Sequence, residues 1–241
     1  MISLKNKVAL VTGGTKGIGY GIAQSLLQEG VHVAITGRNQ LSADEAANTL
    51  NNNPNARAEA IGLEADVRDF ESQQNAVNKV LKQFGQLDIV IANAGLGHFA
   101  SVENLTLEQW QETIDTNLTG AFYTIKASVE ALKKSKGYYI TISSLAGTNF
   151  FANGSAYNAS KFGLTGFTQA VMLDLRNYGI KVSTIMPGSV STYFNGHQPN
   201  EADDWKIQIE DIGEMVINLL KMNPRTLPSK IEVRPSMPPS K

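Results

Sequence analysis

The chain has no cysteine. That excludes disulfides, thiolate zinc sites, iron–sulfur clusters and a cysteine nucleophile. Its three histidines, His32, His98 and His197, stand far apart and form no H-E-x-x-H pattern, so each reads as a surface or loop residue and no metal is expected. Charge of one sign is also lacking: 21 basic side chains face 22 acidic ones, a net of −1. No field for nucleic acid or a membrane surface follows from that balance. No run reaches the roughly 18 apolar residues of a membrane span. Met1 to Lys7 is too short for a signal h-region ahead of the first strand-like run, which gives the expectation of a cytoplasmic protein. There is no G-x-S-x-G turn, which argues against a hydrolase of that kind.

What is present is an alternation. Short β-branched or apolar runs stand at Val8–Thr12, Val31–Thr36, Ala58–Leu63, Ile89–Asn93, Tyr138–Ser143, Lys181–Met186 and Lys230–Val233. Helical patterns separate them at Gly19–Gln28, Leu41–Leu50, Phe70–Phe84, Leu107–Lys134, Lys161–Tyr178 and Ile209–Met222. Strand and helix in alternation predict an α/β fold: a doubly wound (Rossmann) seven-stranded parallel sheet with helices on both faces. Near-continuous apolar strands such as Val-Ala-Leu-Val fit burial on both sides. Gly30, Gly85, Gly137 and Gly179 each follow a helical stretch, where a chain commonly leaves a helix. No repeat or long linker divides the 241 residues, so residues 1–241 are expected to form one domain, with an irregular Pro-rich tail from about 234 to 241. A domain of this length buries about three quarters of its unfolded surface and needs no covalent staple.

The first strand runs into Thr12-Gly13-Gly14-Thr15-Lys16-Gly17-Ile18-Gly19 and then a helix. Glycines at such a bend let the backbone approach a pyrophosphate, and the helix start offers it unpaired N–H groups. The spacing differs from G-x-G-x-x-G, and the absence of G-K-[ST] excludes a P-loop. Where dinucleotide-binding folds usually place an acid for the ribose 2′-OH, the chain has Thr36-Gly37-Arg38-Asn39. An arginine there suits a 2′-phosphate, and Lys16 supplies a second cation. Further on, Tyr157 and Lys161 stand at i and i+4, on one helix face. An ammonium beside a phenol favours the phenolate, bringing proton exchange toward neutral pH. Ser144, thirteen residues before Tyr157, ends a strand where its hydroxyl can face the tyrosine.

In order, the motifs are the glycine loop, Asp66-Val67, Asn93-Ala94-Gly95, Asn117, Ser144, Tyr157 with Lys161, and Pro187-Gly188-Ser189-Val190-Ser191-Thr192. Over essentially its whole length the chain resembles the short-chain dehydrogenase/reductase family. The resemblance implies roles. Ser144 hydrogen-bonds the substrate oxygen, Tyr157 is the general acid or base, and Lys161 tunes the tyrosine and holds the nicotinamide ribose. Asn117 supports a water leading from Lys161 to solvent. For the cofactor, NADP(H), it implies contacts from Gly13, Thr15, Lys16, Gly17, Ile18, Gly19 and Arg38. Asp66 and Val67 would hold the adenine, and Asn93, Ala94 and Gly95 would pack near its ribose. Pro187, Gly188, Val190 and Thr192 would line the nicotinamide side, with Tyr157 and Lys161.

The reading is therefore an NADPH-dependent carbonyl reductase, with hydride passing between nicotinamide and a small or medium carbonyl or alcohol. Two alternatives stand beside it: a reductase of carrier-protein 3-oxoacyl thioesters, and a non-catalytic NADP-binding regulator. Tyr178, where such thioester reductases often carry a basic residue, weakens the first. The intact Ser144, Tyr157 and Lys161 weaken the second. Compared with many relatives, the substrate-loop region at about 189–208 is short and polar. Leu96, His98, Leu145, Ala146, Phe151, Asn153, Ser189, Tyr193 and Phe194 are candidate pocket walls. The helices at 107–134 and 161–178 carry apolar residues over a wide arc, which needs cover beyond their own sheet. Relatives use these two helices in a dimer seam, so a homodimer or homotetramer is expected.

Overall fold

The computed structural model describes residues 2–237. Among these residues seven strands alternate with seven α-helices. They are β1 (Val8–Val11), α1 (Gly17–Gln28), β2 (His32–Gly37), α2 (Gln40–Asn51), β3 (Ala60–Glu64), α3 (Phe70–Phe84) and β4 (Ile89–Ala92). Then follow α4 (Leu107–Ile114), α5 (Gly120–Ser135), β5 (Tyr138–Ile142), α6 (Ser155–Leu175), β6 (Lys181–Pro187), α7 (Ile209–Leu220) and β7 (Lys230–Val233). The strands make one parallel sheet in the order β3-β2-β1-β4-β5-β6-β7. The doubly wound fold is as the alternation implies.

Side chains alternate across the sheet, as the pleat requires. Ala9 and Val11 of β1 pack with Ile22 and Leu26 of α1 and Ile212 and Val216 of α7 on one face. Val8 and Leu10 pack with Val77 of α3, Ile125 of α5 and Leu164 of α6 on the other. The strand order reverses between β1 and β4, and ligands of open α/β sheets bind at such a switch point, beyond the carboxyl ends of the strands.

Three local features differ from expectation. The single helix expected over 107–134 is two, α4 and α5, joined by a π-helical turn at Asp115–Thr119. Such turns interrupt the helical ladder and occur often at functional sites. Helix α6 starts at Ser155 rather than Lys161, so Tyr157 lies inside it. At the end of α5 the left-handed residue is Lys136 (φ 50°), not Gly137. Gly137 is needed instead because a Cβ there would strike the Asp88 carbonyl oxygen. Residues 234–237 have no regular structure, and the rest of the expected tail, 238–241, lies outside the described residues. Among the described residues no helix is long and apolar enough to cross a membrane.

Candidate active site

The carboxyl ends of the central strands open into a cleft of about 690 Å³. Of the predicted site residues, Gly13, Thr15, Lys16, Gly17, Ile18, Arg38, Asp66, Val67, Asn93, Ala94, Gly95, Ser144, Tyr157, Lys161, Pro187, Gly188, Val190 and Thr192 all line it. Gly19 and Asn117 stand behind its wall.

At one end the glycine loop is pressed against β4. Gly13 is left-handed (φ +63°), and a Cβ on it would lie 2.9 Å from Ala94 Cα. Asn93 Nδ2 donates to the Thr12 and Gly13 carbonyls at 3.0 Å each. The Thr12 hydroxyl accepts from the backbone N–H groups of Asn93 and Ala94 at 3.1 and 3.2 Å. Gly19 has its own reason: a Cβ there would strike Asn93 and the Gly13 carbonyl. Helix α1 begins without any side-chain cap, so its first N–H groups remain open toward the cleft.

Lys16 and Arg38 flank this end, both exposed, and neither pairs with a carboxylate among the described residues. The Lys16 ammonium stands 5.9 Å from the Tyr193 ring centroid. Gly37 is confined, since a Cβ there would approach Thr15 Cγ2 to 2.7 Å. An acid at position 37 therefore requires Thr15 to yield. Asp66 already has a partner: Arg68 Nε and Nη2 donate to its carboxylate at 2.7–3.1 Å. The Arg68 guanidinium holds the Asp66 carboxyl below its ordinary range, with a smaller contribution from Arg38. Helix α3 is capped by Asp69 rather than Asp66.

At the other end stand Ser144, Tyr157 and Lys161. Ser144 stands two residues beyond β5, and its hydroxyl accepts from Ala146 N at 3.1 Å. Asn158, one residue after Tyr157, donates to the Ala146 and Asn149 carbonyls at 2.8 and 2.7 Å, tying the turn after Ser144 to α6. Burial pushes the Tyr157 phenol above its ordinary value, while the Ser144 hydroxyl beside it pulls the other way. Lys161 is 4% exposed, and burial lowers its ammonium to about 8. Its Nζ donates to the Ile142 carbonyl at 3.0 Å and lies 5.7 Å from the Tyr157 ring centroid. This corrects the expectation of a phenol depressed by its lysine. In this structure Ser144 is the group acting downward, because Lys161 faces Ile142 and its own charge is disfavoured by burial.

Asn117 sits in the π-helical turn, 1% exposed. Its Oδ1 accepts from Leu96 N at 2.9 Å, and its Nδ2 donates to the Leu96 carbonyl at 2.8 Å and the Ser160 hydroxyl at 2.9 Å. The side chain thus clamps the segment after β4 to α6. Gly95 keeps this junction open, since a Cβ on it would lie 3.3 Å from Asn117 Oδ1 and 3.6 Å from Lys161 Nζ.

Of the candidate walls, Leu96, Ser189, Tyr193 and Phe194 line the cleft, whereas His98, Leu145, Ala146, Phe151 and Asn153 do not. His98 is held by Glu112 at 2.9 Å. The sequence reading missed Phe99, whose ring meets the Tyr157 ring edge-on at 5.4 Å. It also missed Asp203, the buried hub of the short loop. Asp203 takes the Ser191 hydroxyl at 3.2 Å, the His197 ring at 2.5 Å and the Lys206 ammonium. Those partners, Lys206 first, hold its carboxyl well below the ordinary carboxylate range. The stretch carries three acids, Glu201, Asp203 and Asp204, and nothing in the sequence singles out Asp203 among them.

The comparisons with known proteins agree with this geometry. A family model described as short chain dehydrogenase matches residues 7–203. An uncharacterised oxidoreductase of Staphylococcus saprophyticus is 34% identical over 98% of this chain and 100% of its own. A trans-4-hydroxycyclohexanecarboxylate dehydrogenase of Sinomonas cyclohexanicum is 39% identical over 77% of this chain and 73% of its own. Among solved structures, an alcohol dehydrogenase from the archaeon Thermococcus sibiricus, complexed with 5-hydroxy-NADP, superposes with a TM-score of 0.88. It is 29% identical, covering 98% of this chain and 99% of that one. With the glycine loop at one end of the cleft, the Ser-Tyr-Lys set at the other and a family match over most of its length, the chain belongs to the short chain dehydrogenase family of oxidoreductases.

Proposed function

We propose that the chain is an NADPH-dependent carbonyl reductase that also runs as an alcohol dehydrogenase, with Tyr157 as general acid and base. The observation that carries this reading is the cleft itself. It joins Lys16 and Arg38, two cations with no carboxylate partner among the described residues, at one end to Ser144 and Tyr157 at the other. The residues fit a dinucleotide. The left-handed Gly13 and Gly17 leave a cradle without side chains, and the uncapped start of α1 faces it. A pyrophosphate belongs on such a helix start. Arg38 and Lys16 suit a 2′-phosphate through charge-assisted hydrogen bonds. The archaeal alcohol dehydrogenase, complexed with 5-hydroxy-NADP, supports the same cofactor.

When bound, the reduced nicotinamide supplies a hydride for the carbonyl carbon. The protein's part lies at the oxygen. Ser144 and Tyr157 donate hydrogen bonds to it and stabilise the charge that develops. Tyr157 Oη gives up its proton to the oxygen, and the same atom accepts a proton in alcohol oxidation. A phenol pushed upward by burial is protonated at neutral pH, the form that reduction requires. Lys161 holds the floor of the site through Ile142, and Asn117 clamps the segment that carries Leu96.

The half-exposed Phe122 of α5 and Phe162 of α6, with Leu173 beyond it, support pairing of two copies across these helices.

The test is kcat/KM for one ketone with NADPH and with NADH. A charge-assisted hydrogen bond contributes about 1.5–3 kcal/mol, and about 1.4 kcal/mol is tenfold, so NADPH should lead by about tenfold or more. Equal efficiency with both cofactors would contradict the role of Arg38 and Lys16. No consumption of either across ketones, aldehydes, quinones and acyl thioesters would contradict the reductase.

A further inference from the structure

The reading as a carbonyl reductase leaves the substrate open, and the structure narrows it. We propose that the open end of the cleft selects a carbonyl compound bearing a ring beside the carbonyl, and that Phe99 and Phe194 are the residues that select it.

The cluster at Tyr157 draws on three separate segments: Phe99 after β4 and Phe194 after β6 meet the Tyr157 ring, and Phe151 before α6 meets Phe99. Phe194 lies 5.7 Å from the Tyr157 ring, and Phe99 lies 5.4 Å from it. Phe99 in turn is 6.3 Å from Phe194 and 5.9 Å from Phe151, all tilted or edge-on. These are the separations and attitudes that aromatic pairs prefer. Gly97 fixes the arrangement from below, since a Cβ there would approach Cζ of both Phe99 and Phe194 to 2.9 Å. The two rings lie directly on bare backbone.

Phe194 lines the cleft, and Phe99 and Phe151 lie outside its lining, beside Phe194 and Phe99 respectively; all three are left open. Phe99 is 39% exposed, Phe151 48% and Phe194 37%. Exposed rings scattered singly need no explanation, but a cluster against the group that donates the proton marks a binding surface. Three charged groups of the adjoining segments are already paired: His98 with Glu112, and His197 and Lys206 with Asp203. What remains on offer is a set of rigid, flat apolar faces. A ring meets such faces over a broad area and has few internal rotations to lose. A linear chain of the same size gives up more rotational freedom for less contact.

The experiment compares cyclohexyl methyl ketone with methyl hexyl ketone, which have equal carbon counts, using NADPH. It is run on the wild type, Phe99→Ala, Phe194→Ala and Phe99→Leu. The wild type should favour the ring ketone by about tenfold or more in kcat/KM, the low end of what one apolar contact gives in an enzyme pocket. Each alanine variant should lose most of that preference, with kcat/KM for the ring ketone falling by more than kcat/KM for the linear one. Phe99→Leu, which keeps bulk without a flat face, should lose part of it. Equal use of both ketones by the wild type, or a preference for the linear one, overturns the proposal and leaves the reductase standing. If neither ketone is reduced, the reductase fails for this class and binding decides the pocket. Saturation transfer in NMR from the wild type to the ring ketone, lost in Phe99→Ala, upholds it. No transfer, or equal transfer in the variant, overturns it.

Discussion

The two ends of the cleft are built differently. The glycine-loop end rests on neighbouring central strands, β1 and β4, and is fixed by Asn93 and Thr12 through short backbone bonds. The open end is assembled from loops distant in sequence and is fixed by one side chain, Asp203, and by ring packing. The first construction serves a ligand that many proteins share; the second can change its occupant by changing a few loop residues. A rigid scaffold with function carried on its loops is the general arrangement, and here the division runs through a single cleft.

Breaking Asp203 should separate the ends most sharply. Asp203→Asn keeps the shape but removes the charge that holds Lys206 and His197. We expect kcat/KM for the ketone to fall by up to about 100-fold, the scale of a small misplacement of reacting groups. NADPH affinity should change much less. The wild-type carboxyl is held below its ordinary range, so its contribution is present above about pH 4 and is lost only as pH falls through that lowered value. Stability curves of wild type and variant at pH 7 and below pH 4 should therefore converge on acidification. A variant with unaltered ketone kinetics would show that the loop is held by something else.

A smaller effect sharpens the contrast from the floor of the site. Lys161 titrates at about 8 in the folded protein against 10.5 ordinarily. Between those values the unfolded chain binds more protons, so stability rises as pH rises through the window. Below it the buried ammonium is a cost. Lys161→Met should therefore stabilise the protein at pH 7 by on the order of 1–3 kcal/mol, less whatever the unpartnered Ile142 carbonyl takes back. That gain should shrink toward pH 10.5. Denaturant unfolding at pH 7, 9 and 10 reads it. A variant less stable at pH 7, by an amount independent of pH, would mean that the hydrogen bond to Ile142 outweighs the burial of the charge.

How much was legible follows the same division. Alternating apolar runs and helical patterns carry period and length, so the parallel sheet could be read from them. The glycine loop could be read because left-handed backbone and close approach leave few residue choices, as at Gly13. Tyr157 and Lys161 could be paired because a helix puts i and i+4 together. Phe99 could not, because no period links it to Tyr157; only the fold brings their segments together. Asp203 was hidden for the same reason, since loop acids mostly face water. The break at Asp115–Thr119 holds no proline, and Gly120, which follows it, keeps helical backbone, so nothing in the sequence marks a π-helical turn. The direction of the Tyr157 shift depends on burial and on where the Lys161 ammonium points, neither of which spacing contains.

The central claim is that one end of the cleft holds NADPH and the other moves the proton. It is tested most directly by measuring the NADPH Kd and kcat in Arg38→Ala and Tyr157→Phe side by side. The account predicts that Arg38→Ala weakens NADPH binding by about tenfold while kcat at saturation is kept. It predicts that Tyr157→Phe loses at least about 100-fold in kcat, the usual worth of a general acid, while the Kd is kept. If Tyr157→Phe keeps its turnover, or if either variant moves both quantities together, the division of the cleft into a binding end and a proton-transfer end is wrong.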